Sequence, residues 1–146
     1  MFNTSAGVPG SWLPKVTVAF ALCLVVLIGV VDAGWFRSEV LRAVAAVPGG
    51  DKSLHFLLVG GMALLLNWSW GAAHWRAGPL RIQQGSVVVA LVCTLEELSQ
   101  LFVRARAFDL EDLAYDYAGI LLLGQLGAGL HAIGRRRAAR GSSRGP

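Results

Sequence analysis

The sequence predicts an all-α fold, a four-transmembrane-helix bundle with both termini cytoplasmic. Three observations predict it. Of 146 residues, 55% are hydrophobic and only 15% charged, whereas a soluble domain carries about 25% charged residues. Four long apolar runs divide the chain, and its mean hydropathy is +0.57. Basic residues gather at the end of the chain: five of the 13 lie in residues 135–146. The apolar content excludes disorder, and two cysteines, Cys23 and Cys93, are too few for a disulfide scaffold. A tail of this kind orients a membrane protein, so nucleic acid is not an expected partner.

The expected organisation is an N-terminal cytoplasmic segment at 1–15, a membrane domain at 16–134 and a basic, disordered tail at 135–146. The first run, residues 16–31, has sixteen residues without a charge; with Trp12, Leu13, Trp35 and Phe36 it is long enough to cross about 30 Å of hydrocarbon. Val31-Asp32-Ala33 bears a faint likeness to a signal-peptidase site. The length of the run and the single lysine among the first fifteen residues favour a retained helix. The loop that follows contains RSEVLRAV, suited to a short helix on the membrane surface, and Pro48-Gly49-Gly50 resets the backbone.

The second run, 56–73, has eighteen residues, and Gly78-Pro79 turns the short loop after it. The third is the odd one. Only fourteen uncharged residues separate Arg81 from Glu96, about 21 Å of helix. To cross, it must continue through Glu96, Glu97 and Gln100 to Val103, which draws carboxylates into the membrane and marks a functional site. The fourth run, 117–134, is charge-free, with Gln125 its one strongly polar side chain. Placing both termini inside leaves eight basic residues on the cytoplasmic side and five outside, in line with the positive-inside rule. Trp12, Trp68, Trp70 and Trp75 then lie at the inner interface and Trp35 at the outer one.

The unusual polar residues sit at three helix ends that the crossings bring to one, outer, side. The second helix opens with Asp51, Lys52 and His55, the third closes with Glu97 and Gln100, and the fourth is entered through Arg106, Asp109, Asp112 and Asp116. Asp51/His55, Glu97/Gln100 and Asp112/Asp116 are each three or four apart, so each pair shares a helix face. Gly119 continues the last stripe and permits close helix contact. Glu96 points about 100° away from Glu97 and is expected to face solvent or headgroups. Cys23 and Cys93 are expected to be packing residues. Each site residue has a bland alternative: Lys52 and Arg106 as snorkelling cations, Asp109 and Asp112 as helix caps, His55 as an interfacial histidine.

D-K-x-x-H-F at 51–56, E-x-x-Q at 97–100 and R-x-F-D-x-x-D at 106–112 together resemble the VanZ-like family of small bacterial membrane proteins. That family is named for a member associated with resistance to the glycopeptide antibiotic teicoplanin. The resemblance runs from Asp51 to Gly119. It implies the four-helix fold, a place in the cytoplasmic membrane and a role in the cell envelope, but no established reaction. Members usually carry an asparagine where this chain has Asp116.

Three functions compete. In the first, the chain binds a lipid-linked or wall-precursor ligand, Lys52 and Arg106 holding phosphate or carboxylate groups. The second is an interfacial enzyme with His55 or Glu97 as general base, in which Glu97, Asp109 or Asp112 holds Mg²⁺. The third is a proton or ion pathway through Glu97, for which the inner helix halves offer only Asn67, Gln83, Gln84 and Gln125. His55, Glu97 and Arg106 are expected to form one site, with Lys52 or Arg106 paired to a buried, ionised Glu97.

Overall fold

The computed structural model describes residues 12–102 and 109–142. The chain is all-helical: α1 (Trp12–Asp32), α2 (Arg37–Ala45), α3 (Gly50–Ser69), α4 (Gln84–Ser99) with a 3₁₀ turn at Gln100–Phe102, and α5 (Leu110–Ser142). Pro14 falls in the first turn of α1, where its missing N–H costs no helical bond. The short helix expected after the first run is α2. Among the described residues two helices, α1 and α5, are long and apolar enough to cross a membrane. The other two long helices carry the interruptions: α4 has 16 residues, and α3 contains Asp51, Lys52, His55 and Asn67.

The loop between α3 and α4 is an antiparallel hairpin rather than a bare turn. β1 (His74–Ala77) pairs with β2 (Leu80–Gln83), with Trp75 opposite Ile82 and Ala77 opposite Leu80. Gly78 supplies the positive φ of 61° that a two-residue hairpin turn demands. These strands take residues from the third apolar run, so its helix begins only at Gln84. With the 3₁₀ turn, α4 still measures about 30 Å, at 1.5 Å per α and 2.0 Å per 3₁₀ residue.

At the centre α3 and α5 run parallel. A Cβ built on Gly119 would lie 2.3 Å from the Phe56 carbonyl oxygen, one on Gly127 2.3 Å from that of Leu64, and one on Gly60 2.8 Å from the Gly119 backbone. Glycine at these turns lets the two backbones touch, as small residues at a helix interface do. The expected close contact at Gly119 is present. Against this pair α4 packs through Val89 and Cys93, which form the core with Ala63, Leu66 and Ile120.

On the other side α1 lies antiparallel along α3. Leu13 is fully buried, Thr17 Oγ1 donates to the Leu13 carbonyl at 2.9 Å, and Trp12 meets Trp68 edge-on with centroids 6.1 Å apart. The start of α1, the end of α3 and His131 of α5 therefore share one end of the bundle, with Trp12 and Trp68 in contact there.

That end holds a buried amide cluster. Asn67 is 0% exposed, and its Nδ2 donates to Gln83 Oε1 at 2.6 Å and Ser86 Oγ at 2.8 Å. Its Oδ1 accepts the Ser86 backbone N–H at 3.1 Å. That N–H is one of the first-turn groups of α4 that the helix cannot satisfy itself, so a side chain of α3 caps α4. Gln83 Nε2 completes the cluster by donating to Gln125 Oε1 at 2.9 Å.

Two expectations need correction. Residues 135–142 are helical rather than disordered, because α5 carries its hydrogen-bond ladder through Ser142; lysine- and arginine-type side chains are good helix formers. Cys23 is exposed on the outward face of α1, and only Cys93 is buried packing.

Candidate functional site

The polar cluster forms where the N-terminal ends of α3 and α5 meet the C-terminal end of α4. Because α3 and α5 are parallel and in backbone contact, Lys52 and His55 in the first turns of α3 face Asp112 and Asp116 in the first turns of α5. Lys52 Nζ donates to Asp112 Oδ1 at 2.5 Å and Asp109 Oδ2 at 2.9 Å, and Glu111 Oε2 lies 3.8 Å away. His55 Nδ1 is 3.0 Å from Asp116 Oδ1, and its Nε2 is 3.5 Å from Asp112 Oδ2. Asp112 thus bridges the lysine and the histidine.

Asp109 caps α5: its Oδ1 accepts the Glu111 N–H at 2.8 Å while Oδ2 takes the lysine. The capping alternative weighed for this residue therefore holds, and the same carboxyl also pairs with Lys52. Its carboxyl is held below the usual 3.8, first by the Lys52 hydrogen bond and then by the Glu111 N–H. A depressed carboxyl stabilises the fold above its unfolded pKa, and the effect is lost as pH falls through the lower folded value. Lys52→Met should consequently raise the Asp109 titration towards 3.8, followed by carboxyl carbon NMR. An unmoved titration would mean the pair does not form.

Glu97 is 0% exposed and takes a different partner set from the expected one. Its Oε1 accepts the Asp109 backbone N–H at 2.8 Å and its Oε2 accepts Gln100 Nε2 at 3.0 Å. Among the described residues no lysine, arginine or histidine nitrogen lies within salt-bridge distance of it. The expected Lys52–Glu97 pair is replaced by Lys52–Asp112, because the α3–α5 contact brings those two together first. Arg106, the other expected partner, lies outside the described residues.

Gln100 joins Glu97 as its spacing predicts, and also donates to both oxygens of Glu96 at 3.2 Å. Asp51 is exposed, and its Oδ1 accepts the Lys52 N–H at 2.9 Å. The oxygens of Glu97, Asp109 and Asp112 are taken up within the protein, Asp109 and Asp112 sharing Lys52 and Glu97 accepting from the Asp109 N–H and Gln100. Among the described residues, no group of three His, Cys, Asp or Glu is placed to hold a metal ion. Lys52 is committed to carboxylates, so it does not present the free ammonium expected to hold phosphate.

Beside the cluster lies a cavity of about 350 Å³ between α1, α3 and α4, roofed by Val40 and Val44 of α2. Its wall is apolar except at the cluster end, where Asp51, His55, Glu96 and Asp116 reach it. Glu96, expected to face outward, belongs to this wall. The signal for it is Gln100, which sits four residues from Glu96 and three from Glu97 and can therefore touch both. The amide cluster at the other end was also legible as isolated polar residues of the apolar runs, although nothing in their spacing says that they meet.

No family model, curated protein or solved structure matches this chain. Fold and site define it as an all-helical bundle with a charged cluster at one end of its central helix pair.

Proposed function

We propose that the chain is a VanZ-like protein of a bacterial cytoplasmic membrane, crossing it four times with both ends inside. Its outer-facing cluster binds a lipid-linked or wall-precursor ligand, a role that bears on susceptibility to glycopeptide antibiotics of the teicoplanin type. One observation carries this reading: residues from all three VanZ-like motifs meet at a single end of the bundle, beside a cavity that ends on His55 and Asp116. The apolar faces of α1 and α5 supply the membrane surface. The last turns of α4 are polar, and the cluster shelters Glu97 and Gln100 there.

A second reading, an interfacial enzyme, draws on the His55–Asp116 contact. A carboxylate that orients an imidazole is how a general base is positioned. The inner amide cluster holds no titratable side chain, so a proton pathway has the least support.

Topology is tested by single cysteines in a background lacking Cys23 and Cys93. An impermeant maleimide added to intact cells should modify position 45 and spare position 78; labelling of 78 alone overturns the orientation. Function is tested by teicoplanin susceptibility of a host expressing the chain. Wild type should reduce susceptibility and Asp112→Asn should not, at equal membrane levels of the two proteins. Equal protection by both would remove the cluster from the function.

A further inference from the structure

We propose that the cavity between α1, α3 and α4 holds one hydrocarbon chain of a bilayer lipid, admitted sideways between α1 and α4 with the lipid's polar end at His55. The proposal rests on the reading that the chain spans a membrane. The cavity is one-sided in its chemistry. Leu24 and Ile28 of α1, Leu58 and Met62 of α3, and Val89 and Val92 of α4 line its length, while ionisable groups appear only at the cluster end. An occupant that satisfies such a wall is apolar along its length and polar at one tip.

Access agrees. The roof is α2, whose Val40 and Val44 close the outer end, so the remaining approach is lateral. The flanking faces are what lipid chains would already cover: Leu22 and Val26 of α1 and Leu91 and Leu95 of α4 are all exposed. Size agrees as well. The volume of about 350 Å³ lies at the small end of ligand pockets, about 300–1,000 Å³, and is too small for a folded peptide. At the cluster end His55 Nδ1 is committed to Asp116, which leaves Nε2, 3.5 Å from Asp112 Oδ2, to meet a headgroup, and Asp51 is exposed to accept from a headgroup donor.

The test uses the full chain in nanodiscs containing a phospholipid with a diazirine in mid-chain. After irradiation, adducts should appear on Val59 and Met62 of α3, which line the cavity behind α1 and α4, as well as on outward-facing Leu22 and Leu91. Ala21→Phe fills the cavity from the α1 wall and should lower the α3 adducts at least fivefold while leaving Leu22 and Leu91 labelled. Val92→Trp does the same from the α4 wall, should the first variant unfold on heating at a much lower temperature. Absence of α3 adducts, or adducts unchanged in a folded filled variant, overturns the proposal. So does a cross-linked dimer in place of lipid adducts, which would make a second copy the occupant. Failure of the membrane reading shows separately, since Leu22 and Leu91 would then go unlabelled too.

Discussion

Gly119→Ala is expected to destabilise the protein by about 3 kcal/mol, at the upper end for over-packing a tight contact. The new methyl would sit 2.3 Å from the Phe56 carbonyl oxygen and 3.2 Å from Gly60 Cα. Both neighbours are backbone in a regular helix, so no side chain can rotate away and the two helices must part. Parting them also lengthens the bonds strung along the same seam, Lys52–Asp112 and His55–Asp116. Gly129→Ala is the control. It lies on the same helix with nothing within 4 Å of an added Cβ, so it should gain up to about 1 kcal/mol from helix propensity alone. Thermal unfolding in detergent or nanodiscs reads both. Equal midpoints for Gly119→Ala and wild type would mean that α3 and α5 do not touch at this point.

Glu97→Gln is expected to cost about 1–3 kcal/mol although it preserves size and shape. The carboxylate accepts from two N–H donors, Asp109 N at 2.8 Å and Gln100 Nε2 at 3.0 Å. An amide offers one oxygen, so its NH₂ must point at one of those donors inside a fully buried pocket. Double variants identify the cause. With Gln100→Leu the effects should be strongly non-additive, because the facing donor is gone. With Lys52→Met they should add within about 0.5 kcal/mol, since Lys52 pairs with Asp109 and Asp112 instead. Coupling to Lys52 of several kcal/mol would restore a buried ion pair at Glu97, whose disruption typically costs about 3–5 kcal/mol.

The positions of α1, α2, α3 and α5 were readable from the chain because apolar run length and Pro-Gly breaks act locally. So was the gathering of Asp51, Lys52, His55, Glu97, Gln100, Asp109, Asp112 and Asp116 at one end, which follows from counting alternating helices. Spacing also placed Gln100 beside Glu97. The hairpin at 74–83 and the helical 135–142 were missed for a related reason. Both depend on a backbone continued from, or paired with, a neighbouring segment rather than on the composition of the segment itself.

By itself, then, the sequence determined that the chain is all-helical, which residues share a helix face, and which helix ends coincide. Only the tertiary structure decided the partners. The charge at Lys52 is equally attracted to Glu97, Asp109 and Asp112 when they are considered as residues in a list. The glycine contact of α3 with α5 sets the distance and rotation of that pair, bringing Asp112 and Asp109 within hydrogen-bond reach of the lysine. Glu97, arriving on α4, meets a backbone N–H and an amide instead. Periodicity fixes directions around one helix axis, whereas partner choice depends on the separation and rotation between axes, and that is set by where the smallest residues let two backbones meet.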